Sequence, residues 1–126
     1  MAAPTTTINA QANALASTSL ANNATTTFDI DATAKFEVQL QCKCTGGVSV
    51  STNNGLKVDV FRLFGAGPVA DTIPVTSFTI TTVASAANYQ SLALSTGKYR
   101  IKFTNLDATN SISAVEATTT TVDSIA

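Results

Sequence analysis

From Ala34 to Cys44 the chain reads A-K-F-E-V-Q-L-Q-C-K-C, so Phe36, Val38, Leu40, Cys42 and Cys44 alternate with Lys35, Glu37, Gln39, Gln41 and Lys43. An apolar period of two held this long predicts a strand, because successive side chains of an extended chain point to opposite faces. A strand that is apolar on one side cannot cover that side itself. It requires a second layer of structure, and the remainder of the chain must supply it.

The segment Lys98–Phe103, K-Y-R-I-K-F, repeats the pattern with Tyr99, Ile101 and Phe103 inward and Lys98, Arg100 and Lys102 as a basic ladder outward. Further strands are predicted over Thr25–Ile30, with Thr26, Phe28 and Ile30 on one side, Pro74–Val83, Ala87–Leu94 and Ser111–Val122. Asn54-Gly55 is the strongest hairpin signal, and Ser95-Thr96-Gly97 reads as a tight turn. In Leu56–Phe64 the apolar phase switches, from Leu56, Val58 and Val60 to Phe61 and Leu63. That predicts a β-bulge, or a strand whose two halves bury different faces. The whole pattern is all-β: an antiparallel β-sandwich, jelly-roll or immunoglobulin-like, of about eight strands. Residues 1–23 form an extended N-terminal arm or a first strand, with a short strand near Thr5–Asn9, and residues 24–126 form a single sandwich domain.

Only 12% of the 126 residues are charged, and Thr, Ser, Ala and Asn take the place of the missing charge. A surface of this kind is cheap to desolvate and favours packing against neighbours. The net charge of −1 gives no basic excess for a nucleic acid. No run is long enough for a transmembrane helix, and the N-terminus lacks the basic and apolar regions of a signal peptide, so assembly in a cytoplasm is expected. The basic ladder reads first as a solvated sheet face, and second as pairing with Glu37, Asp59 or Glu116.

No chemistry emerges from the residue types. The chain has no His to serve as a base, and its eight acids are scattered through turns and outer faces. Gly65-Ala66-Gly67 lacks the rest of a dinucleotide fingerprint. Asp29-x-Asp31 could begin a calcium site, but Asx-turn chemistry is the commoner use of such residues. Cys42 and Cys44 share a strand face at roughly 6.5–7 Å between Cα atoms, at or past the reach of a disulfide. They read as two small buried hydrophobes. No enzyme, cofactor or metal is expected.

The stretch L-A-L-S-T-G-K-Y-R-I-K-F-T-N-L-D-A-T-N-S resembles the closing hairpin of small all-β virion proteins of tailed bacteriophages, the capsid decoration (cement) proteins and some tail proteins. The Ala/Thr/Ser/Asn-rich stretch Met1–Thr27 is similar to theirs as well. The resemblance implies a non-enzymatic structural protein of the virion. Its partners would be the major capsid protein or other virion subunits, and it would be a homo-oligomer with a trimer favoured, without nucleic acid or membrane. A decoration protein locking capsomer junctions is the first expectation, and a tail, neck or fibre component the second. A surface- or carbohydrate-binding module is the third, which an exposed aromatic platform would support; both tyrosines read as buried. The expected contact residues are Ile8, Leu15 and Leu20 in the arm, Phe61, Leu63 and Phe64 in the phase-switched strand, Lys98, Arg100 and Lys102 in the ladder, and Thr119 and Thr121 on an edge formed by Thr118–Thr121.

Overall fold

A computed structural model describes residues 8–33, 35–47, 55–64, 69–70 and 73–123. The strands are β1 (Ala12–Leu20), β2 (Thr25–Asp31), β3 (Lys35–Gly46), β4 (Gly55–Phe64), β5 (Val69–Ala70), β6 (Thr76–Thr81), β7 (Ala87–Leu94), β8 (Lys98–Asn105) and β9 (Ile112–Asp123). They form two antiparallel sheets, ordered β1-β9-β3-β7 and β2-β8-β4-β5, with β6 also paired to β4. Counted as one broken edge strand, β5 and β6 bring the second sheet to β2-β8-β4-β5/β6. Odd-numbered and even-numbered neighbours then alternate between the sheets, which is the strand order of a jelly roll rather than of an immunoglobulin domain.

The core lies between the two sheets. Val38, Leu40, Cys42 and Cys44 of β3 face Val58 and Val60 of β4 and Ile101 and Phe103 of β8, all fully shielded from water. Phe28 and Phe103 meet edge to face, with ring centroids 5.3 Å apart, a geometry favoured by the ring quadrupole. Phe36 breaks the pattern expected of it and is 59% exposed. The β3–β9 pairing runs from Lys35–Asp123 directly to Glu37–Val122, so Phe36 is the unpaired extra residue of a bulge. It also lies beyond Val38–Leu94, the last pair with β7, and no neighbouring strand covers it.

Of the arm or first strand expected over residues 1–23, the described part forms a first strand. Residues 12–20 are a full strand paired to β9, through a ladder broken by three register shifts. Of the short strand expected around residues 5–9, only Ile8 and Asn9 are described. Ile8 bridges Val122, and the Asn9 amide donates to the Thr121 carbonyl at 2.9 Å. Thr118–Thr121 is not an edge, because β9 lies between β1 and β3. The edges are β1 and β7 in one sheet, and β2 and β5/β6 in the other. The irregular ladder of β1 blunts that edge as a template for another chain.

No register shift interrupts β4, so its change of apolar phase is a change of face and not a bulge. Both edges of β4 are occupied, by β8 and by β6, from Leu56 to Val60. Residues 48–54, including Asn54 of the expected hairpin, lie outside the described residues, as do residues 65–68. Gly55 serves close packing: a Cβ there would sit 2.6 Å from the Ile80 carbonyl oxygen. Gly97, at φ +144, joins the turn before β8 to the turn after β2 through two hydrogen bonds with Ala32.

One end of the sandwich is closed by a buried amide. The Asn105 side chain donates to the carbonyls of Leu20, Ala21 and Asn110 at 3.0–3.2 Å and accepts from the Asp107 amide at 3.0 Å. It ties the ends of β1 and β8 to the loop before β9. Burial predicts a sharp contrast between two phenylalanines. Phe103→Ala is expected to cost about 3–5 kcal/mol, whereas Phe36→Ala costs under about 1 kcal/mol. Urea unfolding followed by circular dichroism measures both, and equal costs would contradict this account of the bulge.

Candidate functional site

The outer face of the β2-β8-β4-β6 sheet collects much of what was expected of a contact surface. Arg100 of β8 lies opposite Asp29 of β2 and Phe61 of β4. Its Nε and Nη2 donate to the two carboxylate oxygens of Asp29 at 2.8 and 3.1 Å. Lys98 lies opposite Asp31, with Nζ 4.0 Å from the carboxylate, and Lys102 lies between Thr27 and Asp59. The acidic partners of the ladder are therefore Asp29 and Asp31 in the same sheet. Of the partners expected for it, Asp59 is a register neighbour of Lys102, Glu37 is in the other sheet, and Glu116 is there too, paired with Lys43 at 3.4 Å.

Beside this charged row the face turns apolar. Phe61 and Leu63 are half-buried. Val75, 57% exposed, follows one step on from the Val60–Thr76 pair and so flanks Phe61. Ile73, 77% exposed, precedes it. Leu63 and Lys98 also line a shallow depression with Asp29, Ile30 and Asp31. Asp59 is buried on this face, accepts the Ser77 hydroxyl and lies 3.8 Å from Lys57 Nζ. An acid inside V-D-V was the sequence sign that this face is partly covered.

The other expected contact residues separate. Leu20 is a core residue, 3% exposed, and Leu15 packs against the core. Neither reaches outward as an arm would. Thr119 and Thr121 are half-buried within β9, and Thr121 Oγ1 accepts from Asn9 Nδ2 at 2.9 Å. Ile8 is exposed at 71%. Phe64 pairs with Val69 through its backbone, and its side chain lies outside the described part.

The outer face of the β1-β9-β3-β7 sheet is polar and carries the aromatic that the sequence hid. Tyr89 of β7 is 60% exposed, against the buried position expected of it, while Tyr99 is buried with its hydroxyl bonded to Ser95. Tyr89 lies opposite Lys43, whose ammonium sits 5.8 Å from the ring centroid. A depression of about 150 Å³ opens there, lined by Gln11, Gln41, Lys43, Tyr89, Glu116 and Thr118 among others. Gln11 Nε2 donates to Gln41 Oε1 at 2.8 Å and to Thr118 Oγ1 at 2.7 Å.

Among the described residues no three His, Cys, Asp or Glu side chains converge on a metal position. Asp29 bonds Arg100, and Asp31 accepts from the Thr33 amide at 3.0 Å in an Asx turn. Burial pushes the Cys42 thiol up to about 12 and the Cys44 thiol up to about 11, so both stay protonated and are poor nucleophiles. No helix among the described residues is long and apolar enough to cross a membrane.

No family model matches the chain, and no curated protein does. Solved structures do resemble it. The VP2 subviral particle of infectious bursal disease virus matches at a TM-score of 0.56 and 10% identity, over 94% of this chain and 32% of that one. Tripeptidyl peptidase 2 matches at 0.56 and 9% identity, over 83% of this chain and 9% of that one. A CBM35 module in complex with a glucuronic-acid-containing disaccharide matches at 0.49 and 13% identity, over 77% of this chain and 67% of that one. Their likeness is one of fold. The chain is a β-sandwich. The structures it resembles include carbohydrate-binding modules and a viral capsid protein, and it spans only a third of the capsid chain.

Two predictions follow from the ionisable groups. Hydrogen bonding to Arg100 lowers the Asp29 carboxyl, and hydrogen bonding to Thr33 lowers that of Asp31. Depressed acids stabilise the fold fully above about pH 4 and lose that contribution as pH falls through their lowered values. Asp29→Asn should therefore weaken the fold at neutral pH by at most about 1 kcal/mol, since the pair is exposed, and flatten the acid limb of a plot of urea midpoint against pH. Cys42 and Cys44 should stay silent towards a thiol reagent in the native protein and react together once denaturant is added, which an absorbance assay reads directly.

Proposed function

We propose that this chain is a non-enzymatic structural subunit of a virion that works by packing against other subunits. The observation that carries the reading is the outer face of the β2-β8-β4-β6 sheet. Phe61, Leu63 and Val75 stand there together, beside the bidentate Arg100–Asp29 pair. A solvated sheet face would carry polar residues at such positions. An apolar centre with a charged border, and Phe and Arg in it, has the composition of protein–protein contact surfaces. The jelly-roll order agrees, since capsid domains use that architecture, though fold alone does not assign a function. The resemblance of the closing hairpin to tailed-phage virion proteins, decoration and tail proteins alike, leads us to take a capsid decoration protein across capsomer junctions as the first reading.

The partners on this reading are the major capsid protein and further copies of the chain, in a trimer. A stable contact would bury upwards of about 1,000 Å². The chemistry is mechanical: added buried area holds neighbouring capsomers in place, and no bond is made or broken.

Purified protein mixed with undecorated capsids of the particle that encodes it should co-sediment to saturation. Phe61→Asp should abolish that binding and any self-association seen by light scattering, while leaving the thermal midpoint within a few degrees of the parent. A chain that stays monomeric and binds no capsid at saturating concentration overturns the proposal. Rings or tubes formed without capsids, seen by electron microscopy, would move the assignment to a tail, neck or fibre component.

A further inference from the structure

The opposite side of the sandwich has a different chemistry, and it goes beyond a packing role. The depression beside Tyr89 brings one exposed aromatic ring together with the carboxamides of Gln11 and Gln41, the hydroxyl of Thr118 and the Lys43–Glu116 pair. A second depression of about 340 Å³ shares Gln11 and Gln41 with the first and continues along the sheet past Gln39, Ser91 and Thr120. The two form one trough across the hydrogen-bonded strands β9, β3 and β7, with Gln11 just before β1, a rigid platform.

We infer that this trough binds a neutral oligosaccharide, with one sugar ring against Tyr89 and the next along the glutamines. Three features select that ligand class. First, the two charges lining the first depression oppose each other in register and lie 3.4 Å apart, so they cancel. The second depression is lined by uncharged residues, so the trough offers no net charge to an anion or a cation. Second, its polar groups are carboxamides and hydroxyls, which both donate and accept and so match sugar hydroxyls. Third, the aromatic ring offers an apolar face for the C–H side of a sugar while keeping its hydroxyl wet. A peptide strand would instead seek backbone pairing along a sheet edge, whereas this trough is lined by side chains on the face of the sheet, most of them from β3 and β9, which are paired on both sides.

The Gln11 side chain acts as a positioning group. Its amide nitrogen already holds Gln41 Oε1 and Thr118 Oγ1, which fixes the Gln41 carboxamide before any ligand arrives. Preorganisation of this kind reduces the ordering cost of binding. Gln41, held by Gln11, is the hydrogen-bonding contact proposed for the ligand where the two depressions meet.

The test uses the full chain, first on an array of neutral gluco-, xylo-, manno- and galacto-oligosaccharides beside anionic glycans, then by titration calorimetry with the best binder. Binding of a neutral oligosaccharide is expected, weakened at least about tenfold by Tyr89→Ala and by Gln41→Ala with the thermal midpoint retained. Gln11→Ala should weaken it less, by changing how well Gln41 is held. Phe61→Asp should leave it intact, which separates failure here from failure of the subunit-packing role. No neutral glycan bound by the parent, binding confined to anionic glycans, or binding that survives Tyr89→Ala would each overturn the inference.

Discussion

Two rows of side chains facing each other across the sandwich are the constraint on which everything else rests. Val38, Leu40, Cys42 and Cys44 come from one sheet, and Val58, Val60, Ile101 and Phe103 from the other. Each row is apolar at every second residue, and neither can be shielded by its own strand. Sheets that pack face to face lie about 10 Å apart, so the two rows fill the space between them and exclude water. With the inner faces committed in this way, the alternate residues of β3 and β8 are committed to the outside. The polar trough and the charged ladder are thus the other half of the same alternation.

Much of this was legible in the residues, and the exceptions have identifiable physical causes. The strands with strict alternation, β2, β3 and β8, could be read because period two is what a half-buried strand imposes. Residues 12–20 could not, because Leu15 and Leu20 are out of phase and three register shifts absorb the mismatch. A ladder that slips three times leaves no period to see. Phe36 kept the period but not the burial, since a bulge and the end of β7 left it uncovered. The acidic partners of the ladder were hidden for a different reason: Asp29 and Asp31 lie some seventy residues away in sequence, and only strand pairing brings them to Arg100 and Lys98. Tyr89 misled because Ala87–Leu94 is an edge strand with one covered end, Leu94, and its phase points the ring outward. Placement across strands was therefore the part of both outer faces that a linear reading lacked.

The two exteriors divide the work the molecule can do. One carries Phe61, Leu63 and Val75 against a bidentate ion pair, and would gain from being covered. The other carries amides, hydroxyls and one tyrosine, and loses little by staying wet. A single face with both characters would be a compromise, because the apolar residues that favour a permanent contact would also close the trough. Placing them on opposite sheets avoids the conflict, and the jelly-roll order allows it, since consecutive strands are dealt to alternate layers.

The Asn105 knot gives the sandwich a direction. At its end, two carbonyls at the end of β1 and one carbonyl and one amide of the loop before β9 converge on one shielded side chain, and any opening there must break them together. At the far end lie the uncovered Phe36, the exposed Ile8 and the single bridge from Ile8 to Val122. The Lys35–Asp123 end is held instead by more exposed contacts, the Lys35–Asp123 ion pair and the Asn9 side chain on Thr121 and Asp123. Opening the Asn105 end must break bonds around Leu20 and in the loop before Ile112 at once, which makes it the more cooperative of the two ends. The molecule has one end tied through exposed side chains and one sealed around a buried amide, set by where one asparagine was placed.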